Sequence, residues 1–252
     1  MAAGERVVLV TGASRGIGRA IAQRFAEQDA KVVVHYASNG SAAKATLAQL
    51  TGDGHLAVAA DLADPEAVES LVQQVIAAYG RIDVLVNNAA IYEAHPVLST
   101  SYAQWRDSWR QTIDTNLIGP ANLIHEVVPH MVANGGGRIV NVSSRGAFRG
   151  ESGHTAYGAS KAGLNSLGQS LAQELGPHGI YVTTVAPGFV ETDMAAALLD
   201  GPTGESIRAQ SPLHRAATPD EVARVVVFLA SPGSEFTTGT IVDVNGASYL
   251  RT

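Results

Sequence analysis

Short runs of β-branched and other apolar residues alternate along the chain with longer stretches in which apolar residues return every three or four positions. The short runs cover residues 7–10, 31–35, 55–60, 82–87, 138–143, 181–186 and 241–244. Most are continuous rather than alternating, which makes both faces of each strand apolar. That is the pattern of a parallel sheet covered by helices on both sides. Between the runs, Ile17, Ile21 and Phe25 form one helical stripe, and Val68, Leu71, Val72 and Val75 form another. Asp64 and Pro65 open the second as N-cap and first helical position. Thr218 and Glu221 read as a capping box before the stripe Val222, Val225, Val226 and Leu229. Leu164, Leu167, Leu171 and Leu175 give a further helix its buried face.

Seven strands separated by helices predict a doubly wound parallel sheet in three α/β/α layers, with right-handed crossovers. No linker, repeat or low-complexity tract interrupts it, so residues 1–252 read as one domain. The Gly/Pro-rich stretch over 187–212 is too long for an ordinary connection and reads as a lid over about 188–212, functional or disordered.

Composition narrows the function classes. With 252 residues and 46% hydrophobic content, the core needs no covalent staple. There are no cysteines, so disulfides, thiol catalysis and Cys-ligated zinc are excluded. A net charge of -6 speaks against a nucleic-acid partner. The first strand begins by Arg6, which leaves no room for a signal peptide, and no apolar run reaches the ~20 residues of a membrane helix. A cytoplasmic protein without a membrane partner is expected.

Two local patterns carry chemistry. The first strand leads through Thr11, Gly12, Ala13, Ser14, Arg15, Gly16, Ile17 and Gly18 into a helix. Glycines let the backbone approach a pyrophosphate, and the helix N-terminus offers free N–H groups and a positive dipole end. The strict G-x-G-x-x-G spacing fails here, because its third glycine would fall at Ile21. The second pattern is Tyr157 and Lys161, four residues apart and thus on one helical face, with Ser144 upstream. An ammonium beside a phenol lowers its pKa and fits it for proton transfer. Taken alone, the pair also reads as two surface residues of an amphipathic helix.

In register, these patterns resemble the short-chain dehydrogenase/reductase family over nearly the whole chain, which implies a Rossmann-like fold. The segment from Thr11 to Gly18 resembles the family's cofactor turn, Asp61 its adenine-contacting acid (followed by Leu62), and Asn88, Ala89 and Ala90 its segment after the fourth strand. Pro187, Gly188, Val190 and Thr192 resemble the turn that holds the carboxamide end of the nicotinamide. Asn116, Ser144, Tyr157 and Lys161 resemble the catalytic tetrad. The resemblance implies Tyr157 as general acid/base and Ser144 as hydrogen-bond donor to the substrate oxygen. It implies Lys161 as ribose ligand that lowers the Tyr157 pKa, and Asn116 as holder of a water leading to bulk. Simpler roles stand beside these: Ser144 satisfying backbone, Asn116 capping an irregular turn near Pro120, Asp61 as a turn residue, Thr192 as a helix N-cap. Ala90 and the triplet Asn245, Gly246, Ala247 depart from the family's usual residues. Ala90 is tolerable where its φ is negative. Arg145 and His154 stand as substrate-side candidates. The eight histidines form no ligand motif, so no metal is expected.

The second strand ends in His35, Tyr36, Ala37, Ser38 and Asn39, without a carboxylate to hold a ribose 2′-OH and repel a phosphate. Tyr36 stands where the family's NAD-preferring members carry Asp. Arg15 resembles the family's 2′-phosphate partner, with Ser38 and Asn39 adding hydrogen bonds. NADP(H) is therefore expected over NAD(H), on a small carbonyl or alcohol substrate. The Pro187–Met194 stretch resembles that of the 3-oxoacyl-[acyl-carrier-protein] reductases. Yet residues 133–136 carry no charge, and Gln173 stands where those enzymes often carry a base, which weakens steering of an acidic carrier. An NAD-linked alcohol or sugar dehydrogenase is the alternative; a non-catalytic dinucleotide-binding regulator and a lyase rank below it. The resemblance also implies a homotetramer or homodimer, packed through helices over 109–133 and 156–176 and the C-terminal strand. The small residues Ala156, Ser160 and Gly163 suit close approach of a partner or of the cofactor.

Overall fold

In the computed structural model, which describes residues 6–251, the seven apolar runs become β1 (Val7–Val10), β2 (Lys31–Tyr36), β3 (Leu56–Ala59), β4 (Val84–Asn87), β5 (Gly137–Val142), β6 (Ile180–Pro187) and β7 (Ile241–Val244). Residues 1–5 and 252, the extremities of the predicted domain, lie outside the described residues. The strands form one sheet in the order β3-β2-β1-β4-β5-β6-β7, with every neighbouring pair parallel. The order reverses between β1 and β4, and in such sheets a crevice opens at the carboxyl ends of the strands at that point.

Ten helices accompany the sheet among the described residues: α1 (Gly16–Ala26), α2 (Gly40–Leu47), α3 (Pro65–Tyr79), α4 (Tyr102–Ile113), α5 (Gly119–Ala133), α6 (Gly146–Arg149), α7 (Thr155–Leu175), α8 (Asp193–Leu199), α9 (Gly204–Arg208) and α10 (Pro219–Leu229). One face of the sheet packs Val8, Val10, Val32, Val34, Val84 and Val86 against α1 and α10. The other packs Leu9, Val33, Leu85 and Ile139 against α3, α5 and α7. Successive strand residues feed opposite cores, which is why the runs are continuously apolar. Both predicted caps form: Asp64 accepts from Glu66 and Ala67, and Thr218 and Glu221 close a capping box.

The differences from expectation have local causes. The third strand starts at Leu56, because the Val32 N–H is taken by His55 Nδ1 at 3.1 Å rather than by a strand carbonyl. The fourth starts at Val84, because the Asp83 carboxylate accepts the Val7 N–H at 2.8 Å. The long helix expected over 109–133 runs from α4 to α5 through a π-helical turn, Asp114–Ile118. A Cβ on Gly119, next in the chain, would stand 2.5 Å from the Leu62 carbonyl oxygen. The 188–212 stretch is ordered into α8 and α9. Ala156 and Ser160 are fully buried within the chain, and a Cβ on Gly163 would meet Leu117 at 2.7 Å. Ser160 and Gly163 thus pack against the π turn, through Asn116 and Leu117.

Candidate active site

The glycine turn between β1 and α1 is built by close approach. Gly12 and Gly16 take φ of 62° and 56°, a left-handed backbone that favours glycine. A Cβ on Gly12 would stand 2.9 Å from Ala89 Cα, and one on Gly16 would stand 3.2 Å from the Thr192 methyl. The N-cap of α1 is Arg15, whose side chain makes no capping bond, so the helix start faces the crevice uncapped.

Two braces fix the turn. Asn88 Nδ2 donates to the Thr11 and Gly12 carbonyls at 2.8 and 3.2 Å, and the Asn88 and Ala89 N–H groups donate to Thr11 Oγ1 at 2.9 and 3.0 Å. From β2, His35 Nδ1 accepts the Gly12 N–H at 3.1 Å while its Nε2 meets the Ala60 carbonyl at 3.0 Å. A carbonyl only accepts, so the proton resides on Nε2. Burial drives the His35 pKa down to about 4, against the opposing Ala60 hydrogen bond and Asp61 charge. Ala90 is not among the residues with positive φ, so its methyl is accommodated.

Beyond the turn, Tyr36, Ser38, Asp61 and Leu62 line the same crevice. Arg15 reaches Asp193 of α8 at 3.7 Å, and both side chains stay largely in solvent. Asp61 Oδ1 accepts the Ala63 N–H at 3.0 Å, the simpler turn role set beside its adenine contact. The Asn39 side-chain oxygen is committed to capping α2 through Ala42.

The opposite end holds Ser144, Tyr157 and Lys161. Ser144 follows β5; Tyr157 occupies the first turn of α7 and Lys161 the next turn on the same face. Ser144 Oγ accepts the Gly146 N–H at 3.0 Å and hydrogen-bonds Tyr157. Lys161 is 2% exposed, and its Nζ donates to the Val142 carbonyl at 2.8 Å. Nζ lies 5.8 Å from the Tyr157 ring centroid. The start of α7 is itself held by buried His95, whose Nε2 accepts the Ala156 N–H at 3.1 Å. Tyr92 stacks on His154 at 3.8 Å and meets Tyr157 edge-on at 4.8 Å.

One electrostatic expectation reverses. Burial pushes the Tyr157 phenol up to about 12, while the Ser144 hydrogen bond pulls the other way and the Tyr92 and Glu151 charges add to the rise. Tyr157 keeps part of its surface open to the crevice, but packed protein around the ring still penalises the phenolate. Burial also drives Lys161 down to about 8. Desolvation is the largest cause of both shifts.

Gly12, Ser14, Arg15, Gly16, Ile17, Gly18, Tyr36, Ser38, Asp61, Leu62, Asn88, Ala89, Ala90, Pro187, Gly188, Val190 and Thr192 line one cleft of about 560 Å³ with Ser144, Tyr157 and Lys161. Asn116 does not reach its wall. It is buried in the π turn, bonded to Ile91 N and O at 2.9 and 3.0 Å and to Ser160 Oγ at 3.2 Å. Thr192 occupies the N-cap position of α8, but its hydroxyl donates to Val190 O. Among the described residues no three His, Asp or Glu side chains converge on a metal-sized site, and no helix is long and apolar enough to cross a membrane. Reading the sequence missed the roles of His35 and His95. Each braces a segment distant in sequence, and a lone histidine carries no such signal.

This arrangement combines an uncapped helix start, room for an extended ligand and a proton-bearing phenol at the far end. A family model described as enoyl-(acyl carrier protein) reductase matches residues 12–247. The 3-oxoacyl-[acyl-carrier-protein] reductase of Staphylococcus aureus strain N315 is 39% identical over 244 residues, 96% of this chain and 97% of the relative. Its namesake from Vibrio cholerae is 39% identical over 245 residues, 97% of this chain and 98% of the relative. The chain therefore belongs to the short-chain dehydrogenase/reductase family of oxidoreductases.

Proposed function

We propose that the protein is an NADP(H)-dependent reductase, moving a hydride between the nicotinamide and a carbonyl or secondary alcohol, with 3-oxoacyl thioesters as the first substrate class to try. The observation that carries this reading is that Ser144, Tyr157 and Lys161 close the same cleft whose other end is the uncapped start of α1. The residues fit a dinucleotide: Gly12 and Gly18 leave no room for a Cβ, so the turn stays free of side chains there, and the helix start presents N–H groups for a pyrophosphate. Arg15, Tyr36 and Ser38 hold the adenosine end and select the 2′-phosphate, and Asp61 and Leu62 flank the adenine. Asn88, Ala89, Ala90, Pro187, Gly188, Val190 and Thr192 hold the nicotinamide end.

When bound, the cofactor supplies the hydride. Tyr157, protonated at neutral pH, gives its proton to the carbonyl oxygen in reduction and takes it back in oxidation. Ser144 accepts from Gly146, so its own proton is directed to Tyr157 and, with substrate bound, to the substrate oxygen as charge develops. Lys161 stabilises the phenolate that forms when Tyr157 gives up its proton. Asn116 acts one layer back, fixing the Ile91 backbone and the Ser160 hydroxyl beside the catalytic helix. The segment bearing α8 and α9 is the substrate lid.

The protein works in the cytoplasm as a homotetramer or homodimer on this reading, burying apolar side chains such as Ile118 and Val132. Calorimetric titration with NADPH and NADH side by side tests the proposal. Preference for NADPH supports it. Preference for NADH turns the reading to an NAD-linked alcohol or sugar dehydrogenase, and failure to bind either refutes the enzyme assignment.

A further inference from the structure

Arg145 follows Ser144 directly and is 2% exposed, yet it belongs to none of the interactions used above. Its backbone N–H donates to the Pro187 carbonyl at 2.9 Å, which fixes its position at the floor of the cleft. Its guanidinium lies 4.9 Å from the Phe189 ring centroid. Nη2 donates to Gln210 Oε1 at 2.7 Å, and Arg149 Nη1 converges on the same oxygen at 3.2 Å. Among the described residues no carboxylate lies within ion-pair distance of either arginine. Glu151 lines the same part of the cleft and acts on Arg145 at longer range, so two cations face one anion there.

A guanidinium out of solvent normally has an anionic partner, because desolvating it is costly. Arg145 has only a neutral amide oxygen and an aromatic face. A guanidinium has five N–H donors in a planar fork, of which Gln210 takes one. Arg145 also lines a second cavity of about 150 Å³, shared with Ser211, Asn245, Arg215 and the carboxylates Glu221 and Asp243, of which Glu221 is paired with Arg215 and Asp243 with Arg251. The charge thus stands between the cleft that holds Ser144 and Tyr157 and a recess large enough for a small polar group.

We infer that Arg145, assisted by Arg149, is a specificity-determining site for an anionic group, carboxylate or phosphate, on the carbonyl substrate. The anion takes the N–H groups that Gln210 leaves free and draws the Gln210 segment over the cleft. The preferred substrate is then a small oxo acid or phosphorylated ketone rather than a neutral ketone. This rests on the proposed carbonyl-reductase reading only for the claim that the anion-bearing molecule is the substrate.

Calorimetric binding of 3-oxobutanoate, its methyl ester and dihydroxyacetone phosphate, with and without NADPH, tests the site. Wild type is expected to bind one or both anions at least about tenfold more tightly than the ester, the advantage of a charge-assisted pair. Arg145→Gln should remove about tenfold of that affinity and leave the ester within about twofold. Arg149→Gln, at an exposed position, gives a smaller loss of the same sign and keeps the test open if Arg145→Gln does not fold. The two anion arms separate carboxylate from phosphate recognition. An ester bound as tightly as both anions, or anion affinity unmoved by both substitutions, overturns the inference. Anion binding that depends on Arg145 without NADPH-dependent turnover leaves the site standing and counts against the reductase reading; reduction of the ester with no advantage for either anion does the reverse.

Discussion

His35 Nδ1 accepts the Gly12 N–H at 3.1 Å, and this bond ties the glycine turn to the neighbouring strand. The imidazole keeps that acceptor only while neutral, because Nε2 already carries the proton directed at Ala60. Its folded pKa near 4 lies below the ~6.5 of a free histidine, so the unfolded chain binds the proton first as pH falls. Stability contributed by neutral His35 is complete above pH ~6.5 and is lost progressively toward pH ~4.

That loss is measurable. Denaturant unfolding between neutrality and pH ~4 should show a decline of up to about 3 kcal/mol assignable to His35. In His35→Gln the pH slope over this window should flatten relative to wild type. An unchanged slope would show that His35 is not the group responsible.

Arg15→Ala should weaken NADPH binding by roughly 1.5–3 kcal/mol, about ten- to a hundredfold, and NADH binding far less. The ion pair with Asp193 is largely solvent-exposed, so its loss adds little. Dissociation constants for both cofactors check this. Equal effects on the two would remove Arg15 from the 2′-phosphate site.

Ala247 takes φ of 56°, a conformation that costs a residue with a Cβ about 1–2 kcal/mol. Ala247→Gly removes that strain and adds backbone freedom to the unfolded chain worth about 0.4–1 kcal/mol. The variant should be more stable than wild type by up to about 1 kcal/mol in denaturant unfolding. A clear loss of stability would mean that the Ala247 methyl makes contacts that outweigh its strain.

The sheet was legible because strands buried on both faces leave continuous apolar runs, and its parallel, doubly wound form followed from the helices between the strands; its strand order was not read from the sequence. Strand ends were less legible, since His55 and Asp83 replace backbone partners with side-chain atoms. The cleft-lining residues were legible because the glycine turn and the Tyr157–Lys161 spacing are local. His35 and His95 were not, because they act on backbone groups 23 and 61 residues away. The direction of the Tyr157 shift was also hidden, because desolvation depends on the packing around the ring and not on the neighbouring Lys161 alone.

The central claim is that Tyr157 supplies the proton in an NADPH-dependent carbonyl reduction. Single-turnover reduction of a 3-oxoacyl thioester or an oxo acid, in wild type and Tyr157→Phe, tests it with NADPH affinity measured in parallel. Tyr157→Phe should bind NADPH within about fivefold of wild type, since an uncharged hydroxyl contributes only ~1 kcal/mol at most sites, while its turnover is abolished. Tyr157→Phe turning over at the wild-type rate would contradict it.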